Sequence, residues 1–338
     1  MAQPKIVILG TGGTIAGQAQ ASTQGVGYRA GQISVAGLLA AVPDLSQLAA
    51  GRTGAMLEAV QLAQIDSKDM DWSVWRSLLQ AVKAALDDAD TQAVIITHGT
   101  DTLEETAWLL QALLQPAKPV VLTCAMRPAT SLQADGPQNL RDAVAVAADG
   151  GAGVWVVAAG EVHSARRVLK VHPYRLNALH SYEGGPCAYV EESRVRWIAG
   201  VAARAPWGEQ RLQKLLACEA LPWVEIVQSG ALQGERAVQA LVGAGVQGLV
   251  VAGTGNATIH RDLLQALLRA RSQGVVVWLG TRCLEGQAVG QGGLPAGSEH
   301  DEIPAQLLKA GDETGLDCVL LPPSKARVAL MLALASGS

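Results

Sequence analysis

This chain of 338 residues has no long basic run, no metal-ligand spacing, no cysteine pairing pattern and no long apolar stretch. Each absence closes off a class of function. With 26 Lys and Arg against 30 Asp and Glu, the net charge of −4 leaves no electrostatic footprint for nucleic acid. A small neutral or zwitterionic ligand suits this balance better. Cys124, Cys187, Cys218, Cys283 and Cys318 are an odd set without C-x-x-C spacing, which indicates neither a zinc site nor a disulfide framework. His163, His172 and His180 show no H-E-x-x-H pattern, so no metal is expected. Mean hydropathy is positive, yet no apolar run reaches the roughly 18 residues of a membrane-spanning helix. Residues 1 to 5 lack the charged and apolar regions of a signal peptide, because the run at Ile6 turns directly into Gly10. The expectation is a cytoplasmic protein.

What is present is apolar residue in quantity. Hydrophobic content of 49% with 17% charged residues suffices for one large or two ordinary cores. Strand-like runs at Ile6 to Leu9, Ala93 to Ile96, Pro119 to Cys124 and Gly153 to Val157 alternate with helical patterns near Asp69 to Ala85, Leu103 to Leu114 and Asn139 to Ala148. Such alternation argues for an α/β fold with a doubly wound, flavodoxin-like parallel sheet. The rhythm lapses around Arg196 to Leu221 and resumes at Trp223 to Val227, Gly248 to Ala252 and Val275 to Leu279. The expected division is therefore a larger catalytic α/β domain at 1–196, a linker at 197–221 and a smaller α/β domain at 222–338. Gly286 to Gly297 reads as a loop.

Two polar clusters sit at strand ends. Ile6 to Leu9 breaks into Gly10-Thr11-Gly12-Gly13-Thr14-Ile15-Ala16-Gly17, a glycine turn carrying hydroxyls. Glycine lets a backbone bend sharply and approach a ligand closely, and open α/β sheets bind ligands at the carboxyl ends of their strands. A dinucleotide fingerprint needs glycine or alanine where Ile15 stands, which weakens a dehydrogenase reading. The second cluster, Thr97-His98-Gly99-Thr100-Asp101-Thr102, follows Ala93 to Ile96 and precedes a helical pattern, where unpaired N–H groups and the helix dipole favour an anion. Thr102 with Glu105 also reads as a capping box, and Ser67 as a cap of the helix near Asp69.

The segments Thr11 to Gly17 and Thr97 to Ala107 resemble the two signature segments of bacterial-type L-asparaginases and glutaminase-asparaginases. Further matching stretches are Asp66 to Met70, Ala125 to Pro128, Ala134 to Leu140, Ala252 to Asn256 and Lys325 to Val328, so that the resemblance covers nearly the whole chain. It implies a cofactor-free amidohydrolase of asparagine catabolism that converts L-asparagine to L-aspartate and ammonia, and a homotetramer built as a dimer of dimers. Carried over by position, it implies Thr14 and Thr100 as the catalytic threonines, Tyr28 on an active-site loop, Asp101 and Lys170 as their partners, Ser67 at the substrate α-carboxylate, and Ala125 at the side-chain amide.

The residue types suit that chemistry. An amide resists water, and attack by a threonine Oγ splits hydrolysis into acylation and deacylation, each with a lower barrier. Tyr28 would hydrogen-bond Thr14; Lys170, desolvated enough to lose its proton, would act through Thr100 with Asp101 completing the relay. The resemblance leaves both threonines in play, and Thr14 is the preferred nucleophile. Lys68 stands where many members carry Gln or Glu, and a cation there does not help hold an α-ammonium, so it has to point away or pair with a carboxylate. Asn256 and Thr258 fall where a neighbouring subunit completes the site in some members, with Glu285 a weak match for that subunit's glutamate. A broad glutaminase-asparaginase and a non-catalytic amino-acid-binding module are the alternatives. Binding alone would not need both threonines and the lysine.

Overall fold

The structure is a computed structural model that describes residues 3–199, 208–288, 307–309 and 316–336. The chain divides into two units, Met1–Trp207 and Gly208–Ser338.

The first unit is organised around β1 (Lys5–Gly12), buried from Ile6 onward. A strand covered on both faces has to be apolar at consecutive positions, and the Ile-Val-Ile-Leu run meets that demand. β2 (Met56–Ile65) and β3 (Thr91–Thr97) flank β1, each parallel to it, and β4 (Pro119–Thr123) and β5 (Gly153–Ala158) continue the parallel sheet beyond β3. The order β2-β1-β3-β4-β5 is that of a flavodoxin-like sheet. The order in which strands are added reverses between β1 and β3, and such a switch point opens a crevice at the strands' carboxyl ends.

Helices α1 (Val35–Ala40) and α2 (Leu45–Thr53) form one buried cluster with the sheet, in which Val35, Leu38 and Ala49 pack with Ile6, Ile8, Ile95 and Val121. α3 (Trp72–Asp87) and α4 (Leu103–Leu114) pack together against β2, β3 and β5 and contribute nothing to that cluster. α5 (Gly136–Asp149) joins the α1 and α2 side through Ala143 and Val144. α3 shows how the local sequence dictates the element. Asp71 caps it by accepting from Val74 N at 3.0 Å, and Trp75, Leu78, Leu79 and Val82 recur at helical spacing as its buried stripe.

The parallel pattern is not the whole sheet. β6 (Glu161–Ser164) pairs antiparallel with β5; β7 (Val168–Lys170) and β8 (Leu179–Ser181) form a separate antiparallel pair; β9 (Ala188–Glu191) and β10 (Arg194–Trp197) extend the main sheet beyond β6. These three- and four-residue strands are too short to show a period. Their turns also lack the usual signal: Ala159 and Gly160 join β5 to β6 with φ of 51 and 76°, and Glu192 and Ser193 join β9 to β10 with φ of 48 and 60°. Two consecutive positive φ values suit a two-residue hairpin, where Asn-Gly or Asp-Gly is the common choice.

The 197–221 stretch read as a linker carries α6 (Glu209–Leu216), while residues 200–207 lie outside the described residues. The second unit continues with β11 (Val224–Gln228), α7 (Arg236–Gly243), β12 (Gly248–Gly253), α8 (Arg261–Ser272), β13 (Val276–Thr281), β14 (Leu307–Lys309), β15 (Asp317–Val319) and α9 (Pro323–Ser336). β11, β12, β13 and β15 run parallel in that order, with β14 antiparallel at the edge. Val238, Leu263 and Leu267 bury α7 and α8 against Val227, Leu249, Val251 and Leu279. Of the expected glycine loop only Gly286, Gln287 and Ala288 are described. Among the described residues no helix is long and apolar enough to cross a membrane.

Candidate active site

β1 and β3 lie in register, Gly10 opposite Thr97, so the loops that leave them emerge side by side. They touch through glycines. A Cβ on Gly13, whose φ is 79°, would lie 2.3 Å from Gly99 N, and a Cβ on Gly99 would lie 2.5 Å from Ser67 Oγ. No side chain fits at either position without pushing the loops apart. The close approach brings together the residues next in line, Thr14 after Gly13 and Thr100 after Gly99, with Ser67 delivered by the end of β2.

Each threonine hydroxyl has a titratable partner. Thr14, 7% exposed, sits in a one-turn 3-10 helix with its Oγ1 2.6 Å from Tyr28 Oη. Tyr28 lies on a loop closed at its base by Gln18 and Arg29, which exchange backbone hydrogen bonds of 2.9 Å. The loop's outer strand is tied to 129–132 by Leu132 N donating to Ser22 O at 2.9 Å and Ala19 N donating to Thr130 Oγ1 at 2.9 Å. Thr100, 5% exposed, accepts from Lys170 Nζ at 2.8 Å, and Lys170 Nζ also pairs with Asp101 Oδ1 at 2.5 Å. Lys170 ends β7, and its backbone N donates to Glu104 Oε2 at 2.7 Å. Glu104 thus spans from the first turn of α4 to β7 and fixes where the lysine begins. By sequence it reads as an ordinary first-turn acid.

Two of the capping readings are corrected. Thr102 makes no side-chain cap; its Oγ1 donates to Ser67 O at 2.8 Å, binding the β2 loop to the start of α4. Ser67 does not cap α3, which Asp71 does; its Oγ accepts from Asp101 N at 3.2 Å. That bond leaves the Ser67 hydroxyl proton to donate elsewhere. Lys68 pairs with a carboxylate, as its sequence position requires: its Nζ lies 2.8 Å from Asp69 and 3.0 Å from Asp66, and these two raise its pKa. Its charge is offset within its own turn.

Ala125 is fully buried just past the end of β4. The next peptide is clamped by Asp135, whose carboxylate accepts from Met126 N at 2.9 Å and Arg127 N at 2.9 Å. A trans peptide aims its C=O opposite to its N–H, so the Ala125 carbonyl points away from Asp135. Asp135 fixes this turn, and Asn139 holds Cys124 O at 2.9 Å and Ala159 N at 2.9 Å. Burial, with the charge of Asp135, pushes the Cys124 thiol pKa up and keeps it protonated. Cys124 is therefore no rival nucleophile.

Behind the β3 loop, His98 is fully buried and its pKa is pushed down to about 4, from 6.5, by burial that a hydrogen bond to Gly99 O only partly opposes. Because an unfolded histidine binds its proton below about 6.5 and the folded one only below about 4, the unfolded state takes up more protons between those values. Stability accordingly falls as pH drops through that window. From pH 7 to pH 5 the loss from this group is about 2 kcal/mol. Denaturant unfolding of wild type and His98→Gln at both pH values measures it; the same pH dependence in both proteins would refute the assignment.

Contacts thus join Thr14, Tyr28, Ser67, Thr100, Asp101 and Lys170 at the carboxyl ends of β1, β2 and β3, with Lys68 in the turn that carries Ser67 and Ala125 just past the end of β4. Asn256 and Thr258 belong to the second unit, where Thr254 and Thr258 exchange backbone bonds of 2.9 and 2.7 Å and their hydroxyls lie 2.7 Å apart. Among the described residues no group of three or more His, Cys, Asp or Glu is arranged to hold a metal ion.

A flavodoxin-like sheet with two partnered threonine hydroxyls at its switch point defines a candidate hydrolase of the nucleophilic type. Residues 5–202 match the family described as Asparaginase, N-terminal, and residues 223–338 match the Glutaminase/Asparaginase C-terminal domain. The chain belongs to the asparaginase family. Among its relatives, the probable periplasmic L-asparaginase of Haemophilus influenzae is 37% identical over 98% of this chain and 88% of that protein. L-asparaginase 2 of Escherichia coli is 34% identical over 99% and 90%, and the glutaminase-asparaginase of Pseudomonas fluorescens 33% over 97% and 86%. The crystal structure of a probable cytoplasmic L-asparaginase from Campylobacter jejuni matches with a TM-score of 0.82 at 34% identity, covering 98% of this chain and 95% of that one.

Proposed function

We propose that this protein hydrolyses the side-chain amide of L-asparagine to L-aspartate and ammonia through a threonine acyl-enzyme on Thr14. The observation that carries the reading is the pairing of each hydroxyl with its own proton partner on adjoining loops, Thr14 with Tyr28 and Thr100 with Lys170 and Asp101. Thr14 Oγ attacks the amide carbon, its proton passes by way of Tyr28 to the departing nitrogen, and the C–N bond breaks to release ammonia. Water then attacks the aspartyl ester and gives a proton through Thr100 to Lys170 as its neutral amine; the ester C–O bond breaks, aspartate leaves, and a proton passed back by way of Tyr28 regenerates the Thr14 hydroxyl. The free proton of Ser67 suits the substrate α-carboxylate. The half-exposed Asp101 carboxylate suits the α-ammonium, and the Ala125 carbonyl suits the NH₂ of the amide.

Ammonia release from L-asparagine, L-glutamine and their D-forms tests this. The reading expects turnover of L-asparagine; binding of asparagine without any ammonia would support an amino-acid-binding module instead. The P. fluorescens relative's name keeps glutamine among the substrates to be assayed.

The resemblance further supports a homotetramer in which Asn256 and Thr258 of a neighbouring subunit complete the pocket; light scattering should return four copies of the 35.0-kDa chain, and a monomeric active enzyme would refute it. A cytoplasmic location, supported by the name of the C. jejuni neighbour and opposed by that of the H. influenzae relative, is decided by cell fractionation.

A further inference from the structure

His98 is the buried titratable group beside the crevice to which the hydrolytic scheme assigns no task, and its hydrogen bonds have a forced direction. Trp75 Nε1 donates to Thr106 Oγ1 at 2.8 Å, Thr106 Oγ1 lies 3.0 Å from His98 Nε2, and His98 Nδ1 lies 2.7 Å from Gly99 O. A carbonyl oxygen only accepts, so Nδ1 carries the proton. The ring is buried and neutral, hence Nε2 is bare and accepts from the Thr106 hydroxyl. At the other end the indole N–H only donates, which fills an acceptor site on Thr106 and leaves that hydroxyl's proton for His98. The Gly99 end requires the Nδ1–H tautomer, and the Trp75 end is compatible with it.

The consequence lies one bond further on. In a planar trans peptide the Gly99 C=O and the Thr100 N–H point in opposite directions. With the carbonyl drawn back to the buried imidazole, the Thr100 N–H faces the opposite way, out of that buried pocket. Among the described residues no group accepts from that N–H. Gly99, kept free of a side chain by Ser67 Oγ, is the residue type whose peptide turns most easily, so an external clamp is needed to hold its orientation.

We propose that His98, locked as the Nδ1–H tautomer by Thr106 and Trp75, is a positioning residue that aims the Thr100 N–H at the oxyanion formed during amide hydrolysis. This rests on the reading of the crevice as the amide-hydrolysing site. Removing an oxyanion donor outright costs about 10²- to 10³-fold in kcat in a well-studied hydrolase, and misaiming one costs less.

The test uses full-length enzyme labelled with ¹⁵N-histidine, the His98 signal being the one lost in His98→Gln. The wild type should show a protonated Nδ1 and a bare Nε2, unchanged between about pH 8 and pH 5. Thr106→Val, which keeps the shape but removes the hydroxyl, should lower kcat about 10- to 100-fold with KM within about twofold, and Thr106→Ser should restore most of the loss. A proton on Nε2 in the wild type overturns the proposal, even if the variants misfold. So does a Thr106→Val enzyme whose kcat is unchanged or whose loss lies in KM alone. The activity of Thr14→Ala reports separately on the underlying reading, because that substitution leaves the imidazole signal in place.

Discussion

Thr14→Ala is expected to lower kcat for asparagine by about 10⁴-fold while the protein stays folded. The size follows from the role: without its nucleophile the crevice can no longer form an ester, and only substrate binding and oxyanion stabilisation remain, which in other hydrolases leave a small fraction of the rate. Folding survives because the hydroxyl makes one hydrogen bond, to Tyr28, worth about 1 kcal/mol net. The backbone of this turn is held independently, by Gly13 N on Ile65 O at 2.8 Å and Gly17 N on Thr14 O at 2.8 Å. Steady-state kinetics beside a thermal melt checks both halves. An active Thr14→Ala would move the nucleophile to Thr100, and an unfolded one would give Thr14 a structural task.

Lys170→Met is expected to lower kcat by about 10²- to 10⁴-fold, the range for loss of a positioned proton-transfer group. Its cost in stability is small. The Lys170 side chain is 18% exposed and that of Asp101 51%, so Asp101 regains water when its partner leaves, and pairs in such surroundings contribute about 1 kcal/mol or less. The strand position survives as well, since Glu104 holds the backbone N–H of residue 170 and not its side chain. Arginine should not rescue activity, because a guanidinium keeps its proton and cannot take up the one that Thr100 passes on. If Thr100, Lys170 and Asp101 act as one line, Thr100→Val combined with Lys170→Met should lose little more than the worse single variant. Fully multiplicative losses would show that the two act independently.

The parts of the fold legible in the sequence are those where burial leaves a periodic trace. β1, β3, β4 and β5 are apolar runs because helices cover both faces, and α3 and α4 carry a helical stripe or a buried run. β2 left no such trace: as an edge strand it mixes Glu58, Gln61 and Gln64 with apolar residues, and Met56 is 48% exposed. Yet β2 delivers Ser67 to the crevice. β6 to β10 are short, and their turns use Ala159-Gly160 and Glu192-Ser193 in place of the residues that announce a hairpin.

The site divides along the same line. Thr14 and Thr100 could be placed from glycine turns at strand ends, where local chemistry and topology coincide. Lys170 could not. It sits beside Arg166 and Arg167 in a stretch that reads as a basic surface, and it reaches Thr100 only because β7 folds back over α4. Only the family resemblance pointed to it. Glu104 and His98 act by holding backbone groups, a task several polar residue types can perform, so spacing alone gives no sign of it.

The most direct test of the account is to find the ester itself. Enzyme turning over asparagine, in the Thr100→Val form expected to slow deacylation, is quenched in acid, digested and analysed by peptide mass spectrometry. The account predicts one aspartyl group on the peptide containing Thr14, absent from Thr14→Ala treated in the same way. An aspartyl group on the peptide containing Thr100 in wild-type enzyme, or full turnover by Thr14→Ala, would contradict it.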